Sequence, residues 1–448
     1  MKMNISETLK TLSSIFKSHG YSLYLVGGAV RDYLLSKPSH DFDFTTDARP
    51  EEIKDMFRHT IDTGIKHGTV TVLFKGESFE ITTFRTEGDY SDSRHPDSVT
   101  FVRSLSEDLK RRDFTINAFA CDLSSGEIID QHGGFEDLNN GVIRAIGNPH
   151  ERFKEDALRI MRAARFSSKL GFQIEEKTKE AMKTLSSTIT RVSEERIREE
   201  LFRLIDSPFP RLGLQAMEET GLLKIILPEL YDCKYIEGEG YHRENLLEHQ
   251  ILALEEAERL HAPLTVKISA LLHDIGKVKA ERVNGNKTTY YSHEIIGSEL
   301  ASDIMSRLKS SNKDRDEVAL LIREHMIQYT PSWSDGAVRR MIVRVGKDNL
   351  DNLFILRECD RKATLALPEC FNDVELKQRI ANELSSSPAL TLKDLKVNGK
   401  DISLITENGP LTGKVLKELL DMVIEKPSLN ERETLLYKAK EISKRLKE

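Results

Sequence analysis

One stretch limits what this chain can fold into more than any other. Residues 25–46 read LVGGAVRDYLLSKPSHDFDFTT. An apolar run ends in Gly27 and Gly28, a helix is predicted over 29–35, and Asp41 and Asp43 then alternate with Phe42 and Phe44. Alternate side chains of a strand share a face, so the two aspartates face one way and the two phenylalanines are expected to pack the other way. Two carboxylates on one face repel each other unless a cation lies between them, and a hard divalent ion such as Mg2+ suits oxygen ligands. Paired glycines between a strand and a helix let the backbone approach a phosphate closely. Either feature alone is commonplace. Together, in one short segment, they point to metal-assisted transfer on a nucleoside triphosphate.

The neighbouring segments extend this reading. A helix is predicted over 49–59, with Pro50 at its start. GTVTVLFK and SFEITTFR follow as two strands separated by Gly76 and Glu77. Glu80 lies on the second, and becomes a candidate third metal carboxylate if that strand pairs beside the aspartate strand. GDYSDSRHPDSV is polar and rich in turn formers, the composition of a loop. Arg111 and Arg112 are expected to open a helix with Asp113 near its start, and Arg112 suits a forked phosphate contact. DLNNGVIRAIGNP then closes the segment with a turn.

Composition sets the class. Charged residues make up 31% of the 448 and aromatics 7%, which favours a soluble, helix-rich protein. The formal net charge is −7, so a nucleic-acid partner would have to be held by local basic patches. The cysteines, Cys121, Cys233, Cys359 and Cys370, form no C-x-x-C pair, and reduced thiols of the cytoplasm are the simple reading. Ile5, Leu9, Leu12 and Phe16 have the spacing of an amphipathic helix, not of a signal peptide, and no run is long enough to span a membrane.

GGAVRD followed by DFDFTT resembles the head signature of the class II nucleotidyltransferases, the CCA-adding tRNA nucleotidyltransferases and bacterial poly(A) polymerases. IKHGTVTVLF, the loop with RHP, and RRDFTINA resemble the CCA-adding branch. The resemblance implies that Asp41 and Asp43 are catalytic and hold Mg2+, and that Gly28, Arg31 and Arg112 contact phosphate or sugar. A predicted helical section begins near His150 and places Glu155, Arg159, Arg162 and Arg165 at three- and four-residue steps. Glu155, Asp156 and Arg159 match the family's E-D-x-x-R motif, which reads the incoming base in a Watson–Crick-like manner, and Arg162 and Arg165 match its further nucleotide-binding arginines. An Asp offers only acceptors and an Arg only donors. Cytosine and adenine both show an amino donor beside a ring acceptor, so one such pair can serve both, whereas guanine and uracil present the reverse. The helix over 193–205 looks like the family's neck, with an imperfect capping box of Ser193 and Arg196. The polar loop at 88–99 argues against CC-only addition, since members restricted to CC tend to lack it.

A second constellation resembles the HD metal-dependent phosphohydrolases. His249, the pair His273–Asp274 within LLHDIGK, and Asp360 match the H…HD…D pattern, and His293 and His325 are candidate ligands for a second metal. The mixed imidazole and carboxylate set suits Mn2+, Ni2+, Co2+ or Fe2+. Lys438, Lys440, Lys444, Arg445 and Lys447 form a basic end suited to RNA backbone contact, although a solvated helix face is the commoner explanation of such a run.

The expected fold is α+β. A nucleotidyltransferase head with a small mixed sheet covers 1–145, and all else is α-helical: a neck and body with base recognition (146–240), an HD phosphohydrolase-like domain (241–365) and an RNA-binding tail (366–448). The resemblance implies a cytoplasmic enzyme that adds C, C and A to tRNA from CTP and ATP without a template, and a possible second phosphohydrolase activity. The alternatives are an A-adding enzyme, a poly(A) polymerase or, from another class, an HD phosphohydrolase whose head only binds RNA. No membrane and no obligate protein partner are expected.

Overall fold

The computed structural model describes residues 1–38, 42–64, 68–87, 99–237, 245–284, 287–364, 371–386, 388–407 and 409–447. Asp41 and the loop residues 88–98 therefore lie outside the described residues. The chain divides into two compact units, Met1–Asp232 with Arg307–Ser310, and Cys233–Ser306 with Ser311–Glu448.

The first unit is built on a seven-stranded mixed sheet. Its strands are β1 (Leu23–Val26), β2 (Asp43–Thr46), β3 (Thr60–Gly64), β4 (Thr69–Phe74) and β5 (Glu77–Thr83), then, after the short pair β6 (Arg85–Glu87) and β7 (Val99–Phe101), β8 (Ala120–Asp122) and β9 (Ile128–Ile129). The order is β3-β4-β5-β2-β1-β8-β9. Within this sheet only β2 and β5 pair in parallel, and their register sets Asp43 opposite Glu80. The condition for Glu80 to join the aspartate strand is met. β2 does not bury both of its phenylalanines: Phe44 is 1% exposed, but Phe42, just before the strand, is 42% exposed. Helix α1 (Glu7–Ser18) buries Leu12 and Phe16, with Ser6 capping its first turn. α2 (Gly28–Leu34) starts directly from β1 through Gly27. α3 (Pro50–Met56) is shorter than expected, because residues after Phe57 enter β3.

Two expectations about local structure are corrected. α4 (Leu105–Lys110) ends at Arg111, so Arg111 and Arg112 close a helix instead of opening one. After α5 (Gly134–Asn140), the section from His150 is two helices, α6 (Pro149–Glu155) and α7 (Leu158–Leu170). Asp156 breaks them, with an extended backbone at φ −139° and ψ 106°. Its Oδ1 accepts from the Leu158 amide at 3.0 Å, so the side chain caps the helix its backbone interrupts. α8 (Glu176–Leu185), α9 (Glu194–Ile205), α10 (Pro210–Glu219), α11 (Leu222–Ile226) and α12 (Pro228–Asp232) complete the unit, with one two-stranded parallel pair, Val142–Ile143 with Gln173–Ile174.

Among the described residues, the second unit is helical apart from a short hairpin, Arg282–Asn284 with Lys287–Thr289. α13 (Leu246–Arg259), α14 (Leu264–Leu272), α15 (Lys277–Ala280), α16 (His293–Arg307), α17 (Asn312–Glu324), α18 (Asp335–Val345), α19 (Leu350–Ala363) and α20 (Phe371–Ser385) come first. α13, α14 and α17 to α20 share one apolar core that includes Ala253, Leu321, Met341, Leu353 and Leu376. α21 (Gly399–Thr406), α22 (Gly409–Glu425) and α23 (Arg432–Lys447) form a second core around Ile402, Val415, Leu419 and Leu435. Among the described residues, no helix is long and apolar enough to cross a membrane.

Candidate active sites

The first site is a cavity of about 940 Å3 in the first unit, lined by Gly27, Gly28, Asp43 and Glu80 and by arginines from α4 to α9. Asp43 and Glu80 both line it, from directly opposed positions of adjoining strands, and such positions send their side chains to the same face. Their hard oxygen donors fit a hard divalent ion. Gly27 has φ +72°, and a Cβ there would stand 3.1 Å from Arg112 Nη1 and 3.9 Å from Asp43 Oδ2. The glycine thus serves both the turn and the close approach. Arg112 has its Nε buried with no hydrogen-bond partner among the described residues, a donor suited to an anion.

A chain of charged contacts runs around the cavity. Arg31, 2% exposed, donates from Nε and Nη2 to Asp32 Oδ1 and from Nη1 to Asn117 Oδ1. Asn117 Nδ2 donates to Asp113 Oδ1 at 3.1 Å. Asp113 Oδ2 accepts from Arg162 Nε at 2.8 Å. Burial works against the charge on Asp113, but Arg162 and the Asn117 hydrogen bond outweigh it and hold the carboxyl at about 2. On α9, Glu200 accepts from Arg165 Nε and lies 3.9 Å from Arg162 Nη1. Arg165 stacks on the Phe166 ring at 4.1 Å.

Asp156, Arg159, Arg162 and Arg165 all line this cavity, as do Arg31 and Arg112. Asp156 and Arg159 do not pair with each other. Asp156 Oδ2 accepts from Arg196 Nη2 at 2.9 Å, whereas Arg159 pairs with Glu155 and donates to the Arg152 and Arg111 carbonyls. Asp113, Asn117, Arg196, Glu200 and Arg203 received no role from the sequence. Arg196, Glu200 and Arg203 share one face of α9 by their four- and three-residue steps, a pattern that reads equally as a surface ion-pair ladder.

The second site lies in the second unit. His249 from α13, the pair His273–Asp274 after α14, and Asp360 from α19 meet there. His249 Nε2 is 3.2 Å from His273 Nε2 and 3.2 Å from Asp360 Oδ1, and His273 Nε2 is 3.3 Å from Asp274 Oδ2. On the other side of the same carboxylate, Asp274 Oδ1 lies 3.2 Å from His293 Nε2 and 3.7 Å from His325 Nε2. Those last three atoms are buried and make no hydrogen bond among the described residues. Two groups that could hold a metal, His249–His273–Asp274 and Asp274–His293–His325, therefore share Asp274. The rings are already set for it. His273, His293 and His325 each place Nδ1 within 2.9 Å of a carbonyl three residues back, which leaves Nε2 as the ligand atom. Burial opposes a charge on His273, but Asp274 and Asp360 push its pKa up to about 10.

The comparisons with known proteins follow the two sites. Residues 23–144 match the poly A polymerase head domain, 171–233 the probable RNA- and SrmB-binding site of polymerase A, and 244–365 the HD domain. Fold and first site thus define a nucleotidyltransferase of the poly(A) polymerase head type. The CCA-adding enzyme of Ligilactobacillus salivarius is 37% identical over 429 residues, which cover 94% of this chain and 93% of that one. That of Lactobacillus helveticus is 57% identical over 203 residues, a match spanning 45% of this chain and about half (51%) of the relative. A solved structure, the Bacillus stearothermophilus CCA-adding enzyme in complex with CTP, is 31% identical, covers 98% of both chains and superposes with a TM-score of 0.72. The chain belongs to the CCA-adding enzyme family.

Proposed function

We propose that the first unit adds C, C and A to tRNA 3′ ends from CTP and ATP, choosing the base with protein groups. The observation that carries this reading is the single cavity in which Asp43 and Glu80 meet Asp156, Arg159 and Arg162. Asp41, Asp43 and Glu80 would hold Mg2+, which when bound lowers the pKa of the tRNA 3′-hydroxyl and steadies the departing pyrophosphate. The 3′-hydroxyl gives its proton to solvent, and its oxygen bonds to the α-phosphorus as the bond to pyrophosphate breaks. Gly28, Arg31 and Arg112 contact phosphate or sugar, with Arg31 held by Asp32 and Asn117. Each Asp156 oxygen already accepts one bond and keeps a second acceptor position for an amino group of cytosine or adenine. Arg162 and Arg165, fixed by Asp113 and Glu200, line the same space for the nucleotide. We assign 1–145 to the head, 146–240 to neck and body, 241–365 to the HD domain and 366–448 to an RNA-binding tail. The buried reduced cysteines Cys121, Cys233 and Cys359 suit the cytoplasm.

The second unit supports a separate reading as a phosphohydrolase. Buried Asp274, His293 and His325 atoms without hydrogen bonds fit transition-metal ligands better than a structural remnant. Such a metal would activate water against a phosphate ester, and phosphate-blocked RNA ends such as 2′,3′-cyclic phosphates are the substrates that would return a free 3′-hydroxyl to the head. Asp43→Ala tests the first reading: addition to tRNA should fall by several orders of magnitude with the melting temperature preserved, and near-parental addition would remove Asp43 from the site.

A further inference from the structure

The cavity at the HD cluster holds more than metal ligands. It encloses about 1380 Å3, above the roughly 300–1,000 Å3 of an ordinary ligand cleft. Trp333, Tyr290 and Tyr291 line it together with five cationic side chains. Three of those cations are committed. Lys277 pairs with Asp274, Arg344 with Glu324, and Arg357 with Asp373 and the His325 carbonyl. Arg323 and Arg361 make no side-chain hydrogen bond or ion pair among the described residues. Arg361 follows the ligand Asp360 on α19 and lies four residues after Arg357, so the helix carries it toward the same cavity. Trp333 is half-buried against the apolar core, and Tyr329 meets its ring edge-on at 5.5 Å and 74°. Tyr329 is in turn fixed by Glu375 and Arg379. The indole is a braced aromatic surface on a cavity wall.

The geometry points to a nucleotide subsite beside the metal cluster, with Trp333 as the stacking platform for a nucleobase and Arg361 and Arg323 receiving phosphate. The chemistry expected at this subsite rests on the phosphohydrolase reading, but binding does not. A phosphate ester without a ring would leave the indole unused, whereas base stacking on an aromatic side chain is strong and tolerant of sequence. The ligand class is a ribonucleoside monophosphate, free or as the last residue of an RNA.

Trp333 is the chain's one tryptophan, so its emission reports on this wall alone. The full chain is titrated with 3′-AMP, with a short RNA ending in a 3′-phosphate, and with ribose 5-phosphate, without added metal. The expected result is saturable quenching by 3′-AMP and none by ribose 5-phosphate, with Arg361→Ala weakening 3′-AMP about tenfold. Tighter quenching by the RNA than by 3′-AMP would assign the subsite to RNA ends, and the reverse order would assign it to free nucleotides. Hydrolysis is then followed with Mn2+ added. Trp333→Leu should raise KM about tenfold for a nucleoside 2′,3′-cyclic phosphate and leave KM for glycerol 2-phosphate unchanged. Unaltered emission at millimolar 3′-AMP, with cyclic phosphate still hydrolysed, would overturn the subsite and spare the hydrolase reading. Quenching without hydrolysis under any metal would uphold the subsite and remove the hydrolase.

Discussion

At the scale of single residues, the proposed base choice turns on Asp156. Its position between two helices places one oxygen on the α7 amide and the other on Arg196, so its orientation is fixed before any nucleotide arrives. Asp156→Ala should relax discrimination against U and G by about 1–3 kcal/mol, by analogy with bidentate base contacts. Triphosphate affinity should change far less, because the proposal gives the phosphates to Arg112 and Gly28. Misincorporation by each NTP, compared with its KM, is the measurement. Equal loss of affinity for all four NTPs with selectivity intact would make Asp156 a scaffold residue. Arg159→Ala should add a loss of stability, since Arg159 is 8% exposed and its removal takes a donor from two carbonyls and from Glu155, which keeps Arg152.

At the scale of elements, Asp113 and Arg162 join the turn after α4 to α7. Asp113 is depressed from 3.8 to about 2, so its contribution is present in full above about pH 4 and is lost as pH falls toward 2. Asp113→Asn should therefore cost about 2 kcal/mol at pH 7 and roughly half of that at pH 3. Urea unfolding of both proteins at the two pH values checks this, and a pH-independent difference would contradict it. This scale also shows what the sequence could and could not convey. Strands β1, β2, β4 and β5 were legible because each alternates or buries a branched face. β3 was not, since as an edge strand with residues 61–63 exposed it carries no apolar period. The break at Asp156 was hidden by flanking residues that all keep helical spacing. Asp113, Asn117 and Glu200 were hidden because a buried ion-pair network and a solvated helix face use the same residues at the same steps.

At the scale of the whole molecule, the two sites draw on separate side chains. His273→Ala with Asp274→Ala should abolish phosphohydrolysis and leave addition to intact tRNA nearly unchanged, while Asp43→Ala should do the opposite. Metal analysis should give about two transition-metal ions per chain, as the shared Asp274 implies, and fewer when His293 or His325 is replaced. The basic C-terminal helix is partly neutralised, because Lys438 pairs with Glu441 on the same helix and Arg445 with Glu418 on α22. The most direct measurement supplies tRNA ending in its discriminator base, or in CC, with each NTP separately. CTP alone should extend the first by two residues, ATP alone should extend the second by one, and UTP and GTP should add nothing. Addition of A only to the CC-ended tRNA, open-ended tails of A, or no extension under any NTP would contradict the account.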